Sequence, residues 1–248
     1  MASYLAMVAI GRYRVATSTH NGLPVVTAVD ASLPTEIDNQ LAKTPQIIDF
    51  LATQFGPYPF DAEGGIVQTD TRIGFALENQ TRPVYSAAFF ARGQQDLGVI
   101  AHELAHQWYG DSVSLSSWSD IWLNEGFATY AEWLWTEHTG GATPKETFDR
   151  LLSGGKFPTD PPATPTETSQ FGASVYDRGA ASLEALRISV GDKAFFQIIQ
   201  AWAAQRKFGN GDTKQFIALA EQLSGKPLDA LFAAWLYTPG KPPYPKAL

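Results

Sequence analysis

His102 and His106 stand four residues apart in "AHELAHQWYGD" (101–111), and this spacing constrains the fold of the chain more than any other feature. Side chains at i and i+4 become neighbours only on a helix, with Cβ atoms about 5–6 Å apart. Neutral imidazole is a good zinc ligand, so such a helix offers two donors to one ion. Glu103 lies one position round from His102, displaced sideways, where it can hold a zinc-bound water rather than bind the metal itself. The competing reading is two histidines without chemistry. The chain has only four histidines, so a chance match is uncommon, although this short pattern does occur by accident.

A catalytic zinc needs a third protein ligand and one open position. The stretch "SDIWLNEGFATYAEW" (119–133) supplies Glu125, with eighteen residues between it and His106. That length lets a second helix fold back on the first. Glu125 sits in a mostly apolar run, and burying a carboxylate is costly unless something positive pairs with it; a zinc ion would do so. Glu132 lies seven residues on, two turns along the same face, and can accept from a ring N–H of one histidine. An exposed helix charge is the equal alternative for it. Asp120 is a weaker candidate for the same task. His20 and His138 read as surface histidines.

The remaining composition narrows the function classes. A net charge of −7, with no Lys/Arg cluster, argues against a protein that grips nucleic acid through its phosphates. The absence of cysteine excludes disulfide frameworks and thiolate chemistry. No apolar run reaches the ~18 residues of a membrane span. The opening "MASYLAMVAIGRYRV" lacks a basic leader and a small-residue cleavage site, so it reads as a strand rather than a signal peptide. The compartment is open; low Lys/Arg with many Thr, Ser and Ala leans towards an extracellular or cell-envelope protein.

Residues 3–29 read as two strands about a turn, a pair that needs a further partner to be stable. Residues 34–56 have helical spacing that Pro45 should break or kink. Extended segments follow at 64–70, 74–79 and 82–90. From about residue 94 the chain reads as helices at 94–109, 119–138, 144–153, 174–189, 192–206, 212–224 and 227–236, interrupted by a Pro/Thr-rich loop at 157–172. Strands first and helices after make the class α+β.

"HELAHQWYGD", the eighteen-residue spacing and "WLNEGFATY" together resemble the aminopeptidase N family of gluzincins, relatives of leukotriene hydrolase. The resemblance implies a thermolysin-like catalytic domain over residues 30–248, a small mixed sheet followed by a mainly helical lobe. Residues 1–29 would be the last strands of a β-rich N-terminal domain, the rest of which would pack on them. It implies one zinc per chain, held by His102, His106 and Glu125, and peptide substrates with a free N-terminus. "GFALENQTRPVY" (74–85) is similar to the family's Gly-Ala-Met-Glu-Asn motif: Ala76, Glu78 and Asn79 agree, while Phe75 and Leu77 replace Gly and Met. This implies an edge strand that pairs with the substrate backbone, and Glu78 as the residue that binds the α-amino group. "SVYDRGAASLEALR" (174–187) is similar to the family's Tyr-x-Lys/Arg-Gly-Ala segment and implies Tyr176 as the hydrogen-bond donor to the oxyanion; nothing else selects it among nine tyrosines. "LFAAWLYTPGKPPYP" resembles the end of the catalytic domain in short bacterial members. The expected function is a zinc-dependent aminopeptidase with Glu103 as general base. The alternatives are an endopeptidase with the same zinc chemistry and a zinc-binding fragment with little activity.

Overall fold

β1 (Tyr13–His20) turns back through Asn21 and Gly22 into β2 (Leu23–Asp30). Both turn residues have positive φ, 50° and 84°, as a two-residue hairpin turn demands, and Asn-Gly meets that demand at least cost. The computed structural model describes residues 2–70, 72–90 and 97–248. The segment expected to be helical is broken at the predicted place: α1 (Glu36–Leu41) ends before α2 (Thr44–Phe55), and Pro45 sits in the first turn of α2, where its missing N–H costs nothing.

β3 (Glu63–Gln68) lies parallel to β2, and β4 (Val84–Ser86) lies parallel to β3. The sheet order is β1-β2-β3-β4. The hairpin of residues 13–30 therefore finds its partner within this chain, and the boundary expected after residue 29 falls at the end of β2, inside the sheet. Gly64 has φ +151°, and a Cβ there would stand 1.8 Å from the carbonyl oxygen of Val26; only glycine lets β2 and β3 approach so closely. Residues 74–79 do not form a regular strand. They run extended beside β4 and touch it through the reciprocal Leu77–Val84 bonds, both 2.8 Å, and Ser86 N–H to the Phe75 carbonyl at 3.3 Å. Residues 87–90, expected to be extended, make a 3₁₀ turn.

The helical lobe begins with α3 (Gly98–Ala105); the first residues of the helix expected from 94 lie outside the described residues. β5 (Val113–Leu115) follows, and then a 3₁₀ turn, Trp118–Asp120, leads into α4 (Trp122–His138). α5 (Pro144–Ser153) starts on a capping box between Thr143 and Glu146, which satisfies two end N–H groups at once. A π-helical turn, Ser174–Arg178, opens α6 (Gly179–Val190); α7 (Asp192–Gln205), β6 (Gly209–Gly211), α8 (Thr213–Ser224) and α9 (Asp229–Phe232), which runs on into a second π-helical turn, Ala233–Tyr237, complete the lobe. β5 and β6 pair in parallel as a separate ribbon.

α4 is the axis of the lobe. Its residues are buried almost all round from Trp122 to Trp135, the signature of a helix enclosed on every side. It packs between α3 and α6. At its crossing with α6, Gly126 meets Gly179: a Cβ on Gly126 would stand 2.8 Å from the Gly179 carbonyl carbon. Trp108, at the end of the α3 segment, donates Nε1–H to the carbonyls of Gly56 and Pro57, and the Tyr109 hydroxyl donates to the carbonyl of Ile199. These bonds tie the end of α3 to α2 and α7.

Candidate metal centre and substrate cleft

Helical spacing does what the sequence predicts. His102 lies within α3 and His106 caps it. Glu125 lies in the first turn of α4, facing α3. Its Oε2 stands 3.2 Å from His102 Nε2 and 3.3 Å from His106 Nε2. The three ligand atoms lie within 4.8 Å of one another, and all three residues are buried. The other ring nitrogens are occupied. His102 Nδ1 stands 2.6 Å from Glu132 Oε1, and His106 Nδ1 stands 3.0 Å from the Tyr109 carbonyl. With Nδ1–H donating to these acceptors, both Nε2 lone pairs face Glu125. Burial opposes ionisation of Glu125, and the positive charge of protonated His106 and His102 outweighs it and holds the carboxyl at about 2; a zinc ion would supply that positive charge with both imidazoles neutral. Two imidazoles with fixed tautomers and one ionised carboxylate fit a divalent zinc ion in number, type and convergence.

Glu103 is buried beside these donors. Burial pushes its carboxyl up, the histidines pull it down and Glu78 and Glu125 push it up again, to about 7. Glu78, Glu103 and His106 also bring ligand atoms within 4.8 Å of one another, so Glu78 is at the centre rather than remote from it. Its position comes from the irregular edge segment. Gln107 donates Nε2–H to the Glu78 carbonyl at 3.4 Å and accepts from Thr81 N–H at 2.7 Å. Asn79, also buried, donates Nδ2–H to the Leu5 carbonyl, which makes it a brace for the N-terminal segment. Ala76 lines the cleft.

Tyr176 belongs to the π-helical turn. Its ring stacks on His102 with centroids 5.9 Å apart and an interplanar angle of 18°. Burial, then the nearby Glu125, Glu103 and Glu78, raise its pKa, so it stays a neutral O–H donor. The turn is held from behind by Arg178. This buried guanidinium donates to the carbonyls of Trp235, Thr159, Asp160, Gly240, Ala234 and Thr238.

Asp120 points elsewhere. Its Oδ1 accepts from the backbone N–H of Thr213 at 3.0 Å and from the Thr213 hydroxyl at 2.7 Å, which fastens the start of α8 to the entry of α4. The structure thus brings together His102, His106, Glu125, Glu103, Glu132, Glu78, Ala76 and Tyr176, and not Asp120. It adds residues not foreseen. Tyr4 donates its hydroxyl to Glu78 Oε1 at 3.2 Å. Asp111 is buried near Glu78 and His106, with its carboxyl pushed up to about 8 by burial and by Glu78. Asp111 closes the same "AHELAHQWYGD" stretch that holds His102 and His106.

A helix offering two imidazoles and a neighbouring helix offering a carboxylate form a donor set suited to a zinc ion. Comparison with known proteins agrees. Residues 39–235 match the peptidase family M1 domain, and the chain belongs to that family. It is 29% identical over 275 residues to aminopeptidase N of Streptomyces lividans, covering 97% of this chain and 31% of that one. An M1 zinc metallopeptidase from Deinococcus radiodurans superposes with a TM-score of 0.80 at 30% identity, covering 96% of this chain and 54% of that one. Leukotriene A4 hydrolase from Saccharomyces cerevisiae shares the fold, with a TM-score of 0.76 at 21% identity over 93% of this chain and 40% of that one. The chain spans about a third of the length of the curated relatives it matches.

Proposed function

We propose that the chain is the catalytic part of a zinc-dependent aminopeptidase, holding one zinc ion through His102, His106 and Glu125. The observation that carries the exopeptidase reading is Glu78, a buried carboxylate whose oxygen lies within 4.8 Å of ligand atoms of Glu103 and His106. An ammonium paired with Glu78 leaves room for only one residue before the scissile bond meets the donor triad. The aminopeptidase names of relatives such as that from Streptomyces lividans support the same reading.

When bound, zinc supplies Lewis-acid polarisation of the scissile carbonyl and makes water a stronger nucleophile near neutral pH. Glu103 takes a proton from the attacking water and passes it to the departing amine. Tyr176 donates its O–H to the oxygen that becomes negative in the tetrahedral stage. Glu132 and the Tyr109 carbonyl keep the two imidazoles in the tautomer that presents Nε2.

Residues 1–29 are read as the last strands of a β-rich N-terminal domain, and the exposed Met7, Val8, Ile10 and Val15 are where its remainder would pack. No helix among the described residues is long and apolar enough to cross a membrane, and the composition fits an extracellular or cell-envelope setting. The test is hydrolysis of aminoacyl chromogens by the zinc-loaded chain, with free and with N-acetylated α-amines. Cleavage of the free-amine substrates alone is expected. Equal cleavage of both would make it an endopeptidase, and stoichiometric zinc without cleavage of either would make it a binding module.

A further inference from the structure

Large aromatic side chains in this protein are mostly buried: Trp108, Trp122, Trp202 and Trp235 are all at most 2% exposed. Eight others are exposed, and four of these gather in one place. Tyr4 is 45% exposed, Trp118 44%, Phe75 53% and Phe171 64%. All four line the cleft that contains Glu78 and the donor triad, a cavity of about 470 Å³. They reach it from separate parts of the chain: the N-terminal segment, the edge segment, the turn before α4 and the long Pro/Thr-rich loop.

Three of them form a continuous wall. The Tyr4 and Trp118 rings have centroids 5.4 Å apart, and Trp118 meets Phe171 at 6.2 Å and 70°. Rings at these separations attract one another and leave faces for a further ring. Tyr4 joins the wall to the amine anchor, because its hydroxyl donates to Glu78 Oε1 at 3.2 Å. On the other side, Phe75, Ala76 and Leu77 present apolar atoms, and no Lys or Arg lines the cleft among the described residues. Exposed apolar patches rimmed by polar groups mark binding surfaces. Here the polar rim is the catalytic centre.

We propose that this wall is the pocket for the side chain of the residue removed, and that the enzyme selects peptides with an aromatic N-terminal residue. The proposal rests on the aminopeptidase reading above. With its ammonium on Glu78, a substrate directs its first side chain away from the donor triad, and the aromatic wall is within reach of an atom bonded to Glu78. A ring there removes apolar surface from water on both partners, whereas an alanine methyl leaves most of the wall wet. An acidic first residue would find no Lys or Arg in the cleft to pair with among the described residues. A basic first residue is the rival, since its cation could lie over the rings.

The experiment is calorimetric titration of the zinc-loaded chain with L-phenylalanine, L-alanine, L-arginine and N-acetyl-L-phenylalanine, repeated on Trp118→Ala and Phe171→Ala with zinc content measured alongside. L-Phenylalanine should bind at least about tenfold more tightly than L-alanine and more tightly than L-arginine. Both variants should keep their zinc and lose most of that ratio. A phenylalanine-to-alanine ratio near one, tighter arginine binding, a ratio unchanged in both zinc-replete variants, or no phenylalanine binding up to about 10 mM, far weaker than a specific subsite allows, would each overturn the proposal. Equal binding of N-acetyl-L-phenylalanine and L-phenylalanine would instead overturn the amine anchor, and the aromatic preference would still be readable from the other ratios.

Discussion

Glu132 Oε1 stands 2.6 Å from Nδ1 of His102, two helical turns beyond Glu125 on the same face of α4. One helix thus carries both a candidate ligand and the group that orients a ligand on its neighbour. Removing such an orienting carboxylate weakens metal binding by about 10- to 100-fold. Glu132→Gln should show that loss in a competition titration against a chelator while the fold is unchanged by circular dichroism. Wild-type zinc affinity in the variant would mean that His102 is held by packing alone.

Glu103 makes a sharper demand. Its side chain is buried beside the donors without completing their triad. Glu103→Gln preserves shape and removes the proposed base. It should retain full zinc and reduce kcat by about 10²–10⁴-fold, read by metal analysis and hydrolysis of an aminoacyl chromogen on the same sample. Near-normal turnover in the zinc-replete variant would remove Glu103 from the mechanism.

Gly126 follows Glu125 and touches Gly179, which comes three residues after Tyr176. Gly126→Ala drives a methyl into the α6 backbone. The expected cost is about 1–3 kcal/mol, or a fall of several degrees in melting temperature for a chain of this size. Because the pushed helices carry Glu125 and Tyr176, zinc affinity should fall with it. A stable variant with wild-type zinc affinity would show that the crossing can widen freely.

Stability should also depend on pH through a site far from the metal. His20 Nδ1 stands 3.1 Å from Glu63 Oε2, and Nε2 stands 3.0 Å from Asp49 Oδ2, which links β1 to β3 and α2. Burial opposes protonation of His20, but the bonds from Glu63 and Asp49 outweigh it and raise its pKa; burial raises that of Glu63 as well. A proton held more tightly folded than unfolded stabilises fully below the unfolded pKa and ceases to do so as pH rises through the folded one. The melting temperature should therefore fall as pH rises above about 6.5, the ordinary value for histidine. His20→Gln should flatten that fall and cost about 1 kcal/mol at lower pH. An undiminished slope in His20→Gln would assign the dependence to other groups.

The donor triad was legible because its chemistry is written in local spacing: four residues on one helix, and a carboxylate stranded in the apolar "IWLNEGFATY" of the next. Glu78 and Tyr176 were legible only by resemblance, since an edge segment with one bridge and a phenol on a π turn carry no periodicity. Tyr4 was hidden because residues 1–15 read as a strand, and its bond to Glu78 spans 74 residues. Asp120 looked like Glu132 in sequence, a carboxylate near Glu125. What separates them is tertiary: Glu132 faces α3, while Asp120 meets Thr213, 93 residues further along the chain. The ribbon of β5 and β6 was missed because three residues per strand show no alternation, and β6 is Gly-Asn-Gly.

Arg178 has one more consequence. Its charge is met by six carbonyls and by no carboxylate among its hydrogen-bond partners, four of them contributed by residues 234–240, and burial lowers its pKa to about 10. Those carbonyls exist as a cage only while the final stretch of chain is laid across the turn. Losing residues 234–240 would take four of the six acceptors from a cation two residues from Tyr176, so a segment absent from the lining of the cleft still holds it in shape.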